Sequence, residues 1–163
     1  WLGIHYIDLA MYLTGQRIVE VAGFAGNVGG QPIDVEDSSA VAFRFDSGTF
    51  GTFTSGYYLD KGYHSHLKIW GSHGWLAMRP SGGPPATLEW YSTKEADAPK
   101  VQSYAGPTEP SGYGPFVHAA VRAAVGLGKP PITAEEGALT LGTVFAFYEA
   151  ARTGKSQPVD PQG

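Results

Sequence analysis

The sequence predicts an α+β fold with a mostly antiparallel, open sheet, helices packed on one face and the other face available for oligomerisation. Runs of β-branched and aromatic residues, separated by short turns, occupy the middle of the chain, and apolar residues at helical spacing lie near both ends. Connections of a few residues join antiparallel neighbours, whereas parallel strands need a crossover of about a dozen residues or more. The middle of the chain is therefore predicted to be an antiparallel meander.

The first helix is predicted from Ile4 to Leu13, where the residues are apolar nearly all round, and Thr14-Gly15 is typical of a helix end. Strands follow in the runs RIVEVAGFAGNV, SSAVAFRF, TFGTFTSGYYL, YHSHLKIWG, WLAMR and TLEWYS. Turns between them are predicted at Gly29-Gly30, Asp46-Ser47-Gly48, Asp60-Lys61-Gly62 and Ser72-His73-Gly74. The segment 81–111, rich in proline and glycine, is predicted to be a long excursion with one weak strand in KVQSY.

Side-chain alternation indicates which face of a predicted strand is buried. In SSAVAFRF, it assigns Val41, Phe43 and Phe45 to the core. In YHSHLKIW, it places Leu67 and Ile69 opposite a mixed polar and aromatic face.

Two helices are predicted near the end of the chain. The first covers PFVHAAVRAAVGLG, and the second begins at an S/T-x-x-E capping box made by Thr133 and Glu136 and closes at Gly154. The apolar stripe of this second helix is predicted to contain Leu141, Val144, Phe145, Tyr148 and Ala151. The stretch from Gly154 to Ser156 resembles the last positions of a phosphate-binding loop, but it ends a helix where such a loop begins one, so we reject that interpretation.

Composition and charge exclude several kinds of partner. The formal net charge is −4, with 11 lysines and arginines and no basic cluster, which is atypical of proteins that bind nucleic acid or an anionic membrane. No run of 18 apolar residues predicts a membrane span. Cysteine is absent, which excludes disulfides and is compatible with the cytoplasm, where we expect the protein to act.

Neither a metal site nor a dinucleotide site is predicted within this chain. His64 and His66 share a face of one strand and His73 follows a turn, but no third ligand is suitably spaced for a metal ion. The fingerprint G-x-G-x-x-G does not occur, so no residue of this chain is predicted to bind a nicotinamide dinucleotide in the usual way.

The first helix carries the candidate chemistry. His5, Asp8 and Tyr12 recur at spacings of three and four, and therefore lie on one face of an otherwise apolar helix. An imidazole beside a carboxylate can take or give the proton of a hydroxyl group near neutral pH. The same pair is also typical of a purely structural contact at a helix start. The residues alone leave these two interpretations open.

The opening stretch WLGIHYIDLAMYLTG resembles the start of the C-terminal domain in the Gfo/Idh/MocA family of oxidoreductases, named after glucose-fructose oxidoreductase and inositol dehydrogenase. Gly3, His5 and Asp8 match the family pattern D-x-G-x-H-x-x-D, which precedes a short helix ending in Thr-Gly. The resemblance continues through EDSSAVAFRFDSGTFGTF, GYHSHLKIWGSHGWL, FVHAAVRAAV and KPPITAEEGALTLGTVFAFYEAARTGKSQPV. It covers nearly the whole chain apart from the excursion, and its specificity lies in the order and spacing of the pieces.

The resemblance implies a single substrate-binding and oligomerisation domain over residues 1–163. The parent protein would also have an N-terminal Rossmann domain that binds NAD or NADP, and a catalytic lysine upstream of this sequence. His5 would be the catalytic residue that handles the proton of the substrate hydroxyl, with Asp8 in a supporting role.

Trp1 departs from the family pattern, because many members have an aspartate at this position. An indole ring cannot accept a hydrogen bond or orient an imidazole by charge, but it can stack on the apolar face of a sugar. Trp1, Asp8 and Tyr12 are therefore predicted to contact the substrate.

Two functional hypotheses follow from the resemblance. In the first, the chain is the substrate-binding domain of an NAD(P)-dependent oxidoreductase that acts on a sugar, polyol or related hydroxy compound, and the isolated chain binds no cofactor and is inactive. In the second, it is a non-catalytic ligand-binding or oligomerisation domain that has lost dehydrogenase activity. In both, the mixed sheet face carrying Phe50, Tyr58 and Trp70 is predicted to pair copies of the chain.

Overall fold

The computed structural model describes residues 3–57, 66–79, 87–94, 100–106 and 112–160. These residues form three helices, which are α1 (Gly3–Thr14), α2 (Tyr113–Ala124) and α3 (Ala134–Thr153). They also form eight strands, which are β1 (Ile18–Gly26), β2 (Ser38–Phe45), β3 (Phe50–Gly56), β4 (Leu67–Gly71), β5 (Gly74–Arg79), β6 (Thr87–Ser92), β7 (Gln102–Ala105) and β8 (Gln157–Pro158). The predicted turn at residues 60–62 and the candidate residues Trp1, Tyr58 and His64 lie outside the described residues.

The α+β class and the antiparallel, open arrangement are confirmed, and the strands form two sheets. One sheet has the order β3-β2-β1-β8 and the other β4-β5-β6-β7, and every neighbouring pair is antiparallel. The chain divides accordingly into two compact units, Trp1–Tyr58 with Ile132–Gly163, and Leu59–Pro131. Each sheet is a meander of hairpins, except that β8 joins the first sheet after α3.

The core of the first unit lies between its sheet and the helices α1 and α3. Val41, Phe43 and Phe45 are buried, as the alternation in β2 predicts. Ile18 of β1 is fully buried against them, and Ile7 of α1 belongs to the same cluster. Burial of such side chains stabilises a fold by about 1.5–3 kcal/mol each, so this cluster stabilises the packing of the two helices and the sheet.

Helix α3 begins and ends where the sequence predicts. Thr133 Oγ1 accepts a hydrogen bond from the Glu136 N–H at 3.1 Å, and Glu136 Oε2 accepts one from the Thr133 N–H at 2.7 Å, which completes the capping box. At the other end, Gly154 adopts the left-handed conformation with φ of 67° and donates its N–H to the carbonyl of Ala150. The structure thus agrees that Gly154 ends a helix.

The predicted apolar stripe of α3 is confirmed for Val144 and Ala151, which pack against the core, and is wrong for Leu141, Phe145 and Tyr148, which are exposed. The buried residues of the helix are Thr140, Thr143, Phe147 and Ala150, whereas Phe145 is 66% exposed and Leu141 48% exposed. The buried threonine hydroxyls donate to backbone carbonyls one turn earlier, at 2.9 Å in each case. Because these hydroxyls are satisfied within the helix, the threonines can face the core, which a hydrophobicity pattern does not detect.

The second unit contains the sheet β4-β5-β6-β7 and helix α2. One face of this sheet is apolar, with Leu67, Ile69, Leu76, Met78, Leu88 and Trp90 in register. The opposite face carries Lys68, Trp70, Trp75, Ala77, Glu89 and Tyr91. The predicted alternation of β4 is confirmed.

Candidate functional site

The first turn of α1 presents His5 to solvent. The helix begins at Gly3, where an added Cβ would lie 3.0 Å from the ring of Phe53 in β3. One turn on, the ring of Tyr6 stacks on the same phenylalanine with 6.1 Å between centroids. The start of the helix is thereby fixed against β3. The backbone of His5 is therefore held in place, while its imidazole is exposed to solvent.

Asp8 is half-buried and belongs to a contact between α1 and α3. Its Oδ1 accepts a hydrogen bond from Thr140 Oγ1 at 3.3 Å, while the same hydroxyl lies 2.9 Å from the carbonyl oxygen of Glu136. A hydroxyl has one proton, so the bond to Asp8 is the weaker branch of a shared interaction. Among the described hydrogen bonds, Asp8 is paired with Thr140 and not with His5. The imidazole of His5 is therefore free to meet a ligand.

Tyr12 follows one turn after Asp8 and is 80% exposed. Ile7 and Met11, on the other side of the helix, are buried in the core. The geometry therefore matches the prediction that His5, Asp8 and Tyr12 lie on one polar face of α1. The fourth predicted site residue, Trp1, lies outside the described residues.

A second polar centre, which sequence reasoning missed, is formed by Asp37 at the start of β2. The residue is only 2% exposed, and its carboxylate accepts hydrogen bonds from the N–H groups of Val28 at 2.9 Å and Gly29 at 2.8 Å. A longer bond from the Gln31 N–H at 3.4 Å and one from the Ser38 hydroxyl at 2.9 Å complete the set. Burial by itself raises the pKa of Asp37, but these hydrogen bonds outweigh it, so that the pKa lies below its ordinary value.

The loop organised by Asp37 borders an open cleft of about 430 Å³ between the end of β1 and α3. Tyr148 of α3 donates its hydroxyl to Glu36 Oε1 at 2.9 Å across this cleft. Burial raises the pKa of Tyr148, and the hydrogen bond to Glu36 and its negative charge raise it further. Arg152, also in the lining, is engaged by the Glu149 carboxylate at 2.6 and 2.8 Å. No short motif could have revealed the cleft, because its two walls are more than 100 residues apart in sequence.

In the part of the chain that the structure describes, no group of three or more histidine, aspartate or glutamate side chains is placed to hold a metal ion. None of the helices over the same residues is long and apolar enough to cross a membrane.

The family model described as the GFO/IDH/MocA C-terminal domain aligns with the first strands and the helix that carries His5, ending within β5. Residues 1–77 match the GFO/IDH/MocA C-terminal domain. The resemblance that the sequence suggested is confirmed over this range, which includes Gly3, His5 and Asp8. No curated protein sequence matches the chain.

Solved oxidoreductases share the fold of this chain over nearly its whole length. An aldose-aldose oxidoreductase from Caulobacter crescentus, complexed with glycerol, superposes with a TM-score of 0.76 and 21% identity over 96% of this chain and 45% of its own. The WlbA dehydrogenase from Bordetella pertussis, in complex with NADH and UDP-GlcNAcA, superposes with a TM-score of 0.71 and 19% identity. The match covers 98% of this chain and 44% of the dehydrogenase. An oxidoreductase domain protein from Kribbella flavida superposes with a TM-score of 0.77 and 19% identity. The match covers 97% of this chain and 48% of that protein. The chain thus spans less than half the length of each of these structures.

Proposed function

We propose that this chain is the substrate-binding domain of an NAD(P)-dependent oxidoreductase that acts on a sugar, polyol or related hydroxy compound. One observation carries the proposal. His5 lies within the matched region, where the sequence pattern resembles the family's histidine motif, and it is exposed in the first turn of α1 without an ion pair to Asp8. The NADH and UDP-sugar bound to the WlbA dehydrogenase and the glycerol bound to the aldose-aldose oxidoreductase support this class of cofactor and substrate.

In the proposed reaction, the unprotonated imidazole of His5 accepts the proton of the substrate hydroxyl as the adjacent carbon loses a hydride, and a carbonyl forms. A nicotinamide held by another part of the parent protein would accept that hydride. Asp8 and Tyr12, on the same face of α1, orient the substrate. Thr140 holds the carboxylate of Asp8 by its hydroxyl, so we assign it a positioning role.

The sequence lacks the G-x-G-x-x-G fingerprint by which the cofactor is usually held. A dinucleotide pyrophosphate binds at a free helix N-terminus after a glycine-rich turn. The N-terminus of α3 is closed by its own capping box, and it carries Glu135 and Glu136, whose negative charges repel a phosphate. We therefore expect the cofactor to be held by a Rossmann domain in another part of the parent protein.

The decisive experiment is His5→Ala in the full-length parent, with turnover followed as NAD(P)H absorbance on glycerol, D-glucose and myo-inositol. Loss of a positioned proton-transfer group should lower turnover by about two to four orders of magnitude and leave cofactor affinity nearly unchanged. His118→Ala is the matched control, because it removes an exposed histidine from α2. Near-normal turnover of the His5→Ala enzyme on any substrate that the wild type oxidises would refute the assignment of His5.

Trp1→Asp is a companion test, because it restores the aspartate common in the family. If the indole only replaces a lost acid, activity on simple polyols should rise. If Trp1 belongs to a pocket of different construction, activity on the native substrate should fall.

That the protein acts in the cytoplasm remains a prediction.

We also propose that copies of the chain pair through the outer face of the first sheet. The sequence placed Phe50 and Trp70 on one mixed face, and this is corrected by the structure, because they lie in different sheets. The outer face of β1, β2 and β3 carries the Glu20–Arg44 ion pair and a group of small residues, which are Ala22, Ala40, Ala42, Thr52 and Thr54. Phe24 and Phe50 flank it and are 80% and 82% exposed. Exposed aromatic side chains beside small residues on a sheet face are typical of a contact between subunits.

A further inference from the structure

The ring of Phe53 in β3 lies against α1 at two positions, one on either side of His5. An ideal Cβ at Gly3 would lie 3.0 Å from Cε1 and 3.2 Å from Cζ of this ring. The ring of Tyr6 stacks on it, with 6.1 Å between centroids and 23° between planes. Residues three apart share one side of a helix, and the imidazole between them is exposed to solvent. One ring therefore supports the backbone on both sides of His5.

Phe53 is itself anchored in the sheet and at the edge of the core. It pairs across the strands with Val41 of β2, which is only 5% exposed. Its side chain is half-buried and packs against the buried cluster that contains Ile7. A ring packed in this way resists displacement, because the side chains around it leave little free volume. Phe53 thus transmits the position of the sheet to the first turn of α1.

The first turn of a helix is its least restrained part, because its N–H groups have no acceptors within the helix. In α1 this turn, Gly3 to Tyr6, contains no acidic side chain that would complement the helix dipole. The buried residues of the helix, Ile7 and Met11, come after that turn. Packing on Phe53 therefore contributes directly to holding the turn that carries His5.

We propose that Phe53 is a positioning residue for His5, an inference that rests on the proposed function. Proton transfer from a hydroxyl needs a separation of about 2.6–3.2 Å between the base and the oxygen. A displacement of about 1 Å, even one caused far from the reacting atoms, lowers a rate by about a hundredfold. Without the ring the first turn frays, so the imidazole spends less time at the distance that proton transfer needs.

Amide hydrogen exchange of this chain tests the support itself. The amides of Ile7, Asp8 and Leu9 pair with carbonyls of the first turn in a helix that begins at Gly3. Phe53→Leu keeps an apolar side chain but removes the ring. It should accelerate the exchange of these three amides by about tenfold relative to later amides of α1, because the turn opens locally. Unchanged relative protection in Phe53→Leu would overturn the proposal.

Phe43→Leu is the matched control, because it removes the same atoms from the same core. The ring of Phe43 makes a T-shaped contact with Phe45, and a Cβ added at Gly51 would meet it. Since Phe43 is 9% exposed and more buried than Phe53, the control should lower the stability of the fold at least as much. It should nevertheless leave the relative protection of the first-turn amides as in the wild type.

Turnover of the full-length parent tests the consequence for proton transfer, on whichever of glycerol, D-glucose and myo-inositol the wild type oxidises. Phe53→Leu should lower kcat by about ten- to a hundredfold and leave KM for the cofactor unchanged. In the His5→Ala background the same change should have no further effect, because a base that is absent cannot be misplaced. Phe43→Leu should keep the wild-type kcat at a temperature at which every variant is folded.

The outcomes separate this inference from the proposed function. If His5→Ala loses turnover and Phe53→Leu does not, the positioning role is wrong and the proposed function stands. If Phe53→Leu lowers turnover equally with and without His5, the role is also wrong, because the ring then does not act through the imidazole. Near-normal turnover of His5→Ala refutes the proposed function and with it the role of Phe53.

Discussion

Gly23 lies in the middle of β1, opposite Val41 of β2, and we predict that replacing it with alanine destabilises the first unit strongly. Its φ is 153°, a conformation that L residues rarely adopt. An added Cβ would overlap the carbonyl oxygen of Ala40 and would come within 3.0 Å of the Cα of Val41. The obstacle is backbone on the neighbouring strand, which cannot rotate away as a flexible side chain can.

The magnitude follows from two contributions. Backbone strain at an unfavourable φ contributes about 1–3 kcal/mol. Separation of β1 from β2 near Gly23 weakens at least one ladder hydrogen bond, which adds about 1 kcal/mol. Gly23→Ala should therefore lower the free energy of unfolding by about 2–4 kcal/mol, a large share of the stability of an ordinary domain.

The assay is urea denaturation followed by far-ultraviolet circular dichroism, together with hydrogen exchange of the β1 and β2 amides. Gly26→Ala is the matched control in the same strand, because its added Cβ would make only an ordinary contact at 3.6 Å. The control should unfold at the wild-type midpoint or slightly above it, since alanine restricts the unfolded chain more than glycine does. If Gly23→Ala and Gly26→Ala unfold at the same urea concentration, the close approach of the strands at Gly23 is not the constraint we describe.

Two further predictions concern the Asp37 loop and the outer face of the first sheet. Since hydrogen bonds hold the pKa of Asp37 below its ordinary value, the stability they contribute is present above about pH 4 and is lost as the pH falls through the lowered folded pKa. The difference in unfolding free energy between wild type and Asp37→Asn should therefore be full at pH 7 and shrink in acid, and a difference that grows in acid contradicts the assignment. Phe50→Lys should convert a dimer to a monomer in light scattering, whereas Phe145→Lys, a matched change on an exposed face of α3, should leave the dimer intact; a wild-type monomer at high concentration rejects this interface.

Long-range contacts could not be predicted in the same way as local ones. The hydroxyl of Thr140 meets the carboxylate of Asp8 across 132 positions, and Tyr148 meets Glu36 across 112. Nothing in either short stretch indicates the partner, because each residue is an ordinary polar side chain on a helix or loop. The cross-strand alignment of Trp70, Trp75 and Tyr91 in the second sheet is a similar case. Trp70 and Trp75 are five positions apart and could be recognised as a hairpin pair, but their alignment with Tyr91 depends on the register of β6.

The sequence by itself determined the features whose causes lie within a few residues. Helix α1 ends at Thr14-Gly15, α3 is capped by Thr133 and Glu136, and the alternating residues of β2 are buried, because turn geometry, capping and strand period are local properties. Only the tertiary structure decided which face of α3 is buried and how the strands are divided between two sheets. Those outcomes depend on packing between distant segments, where a threonine with a satisfied hydroxyl can serve as a core residue and a flanking phenylalanine can remain exposed to solvent.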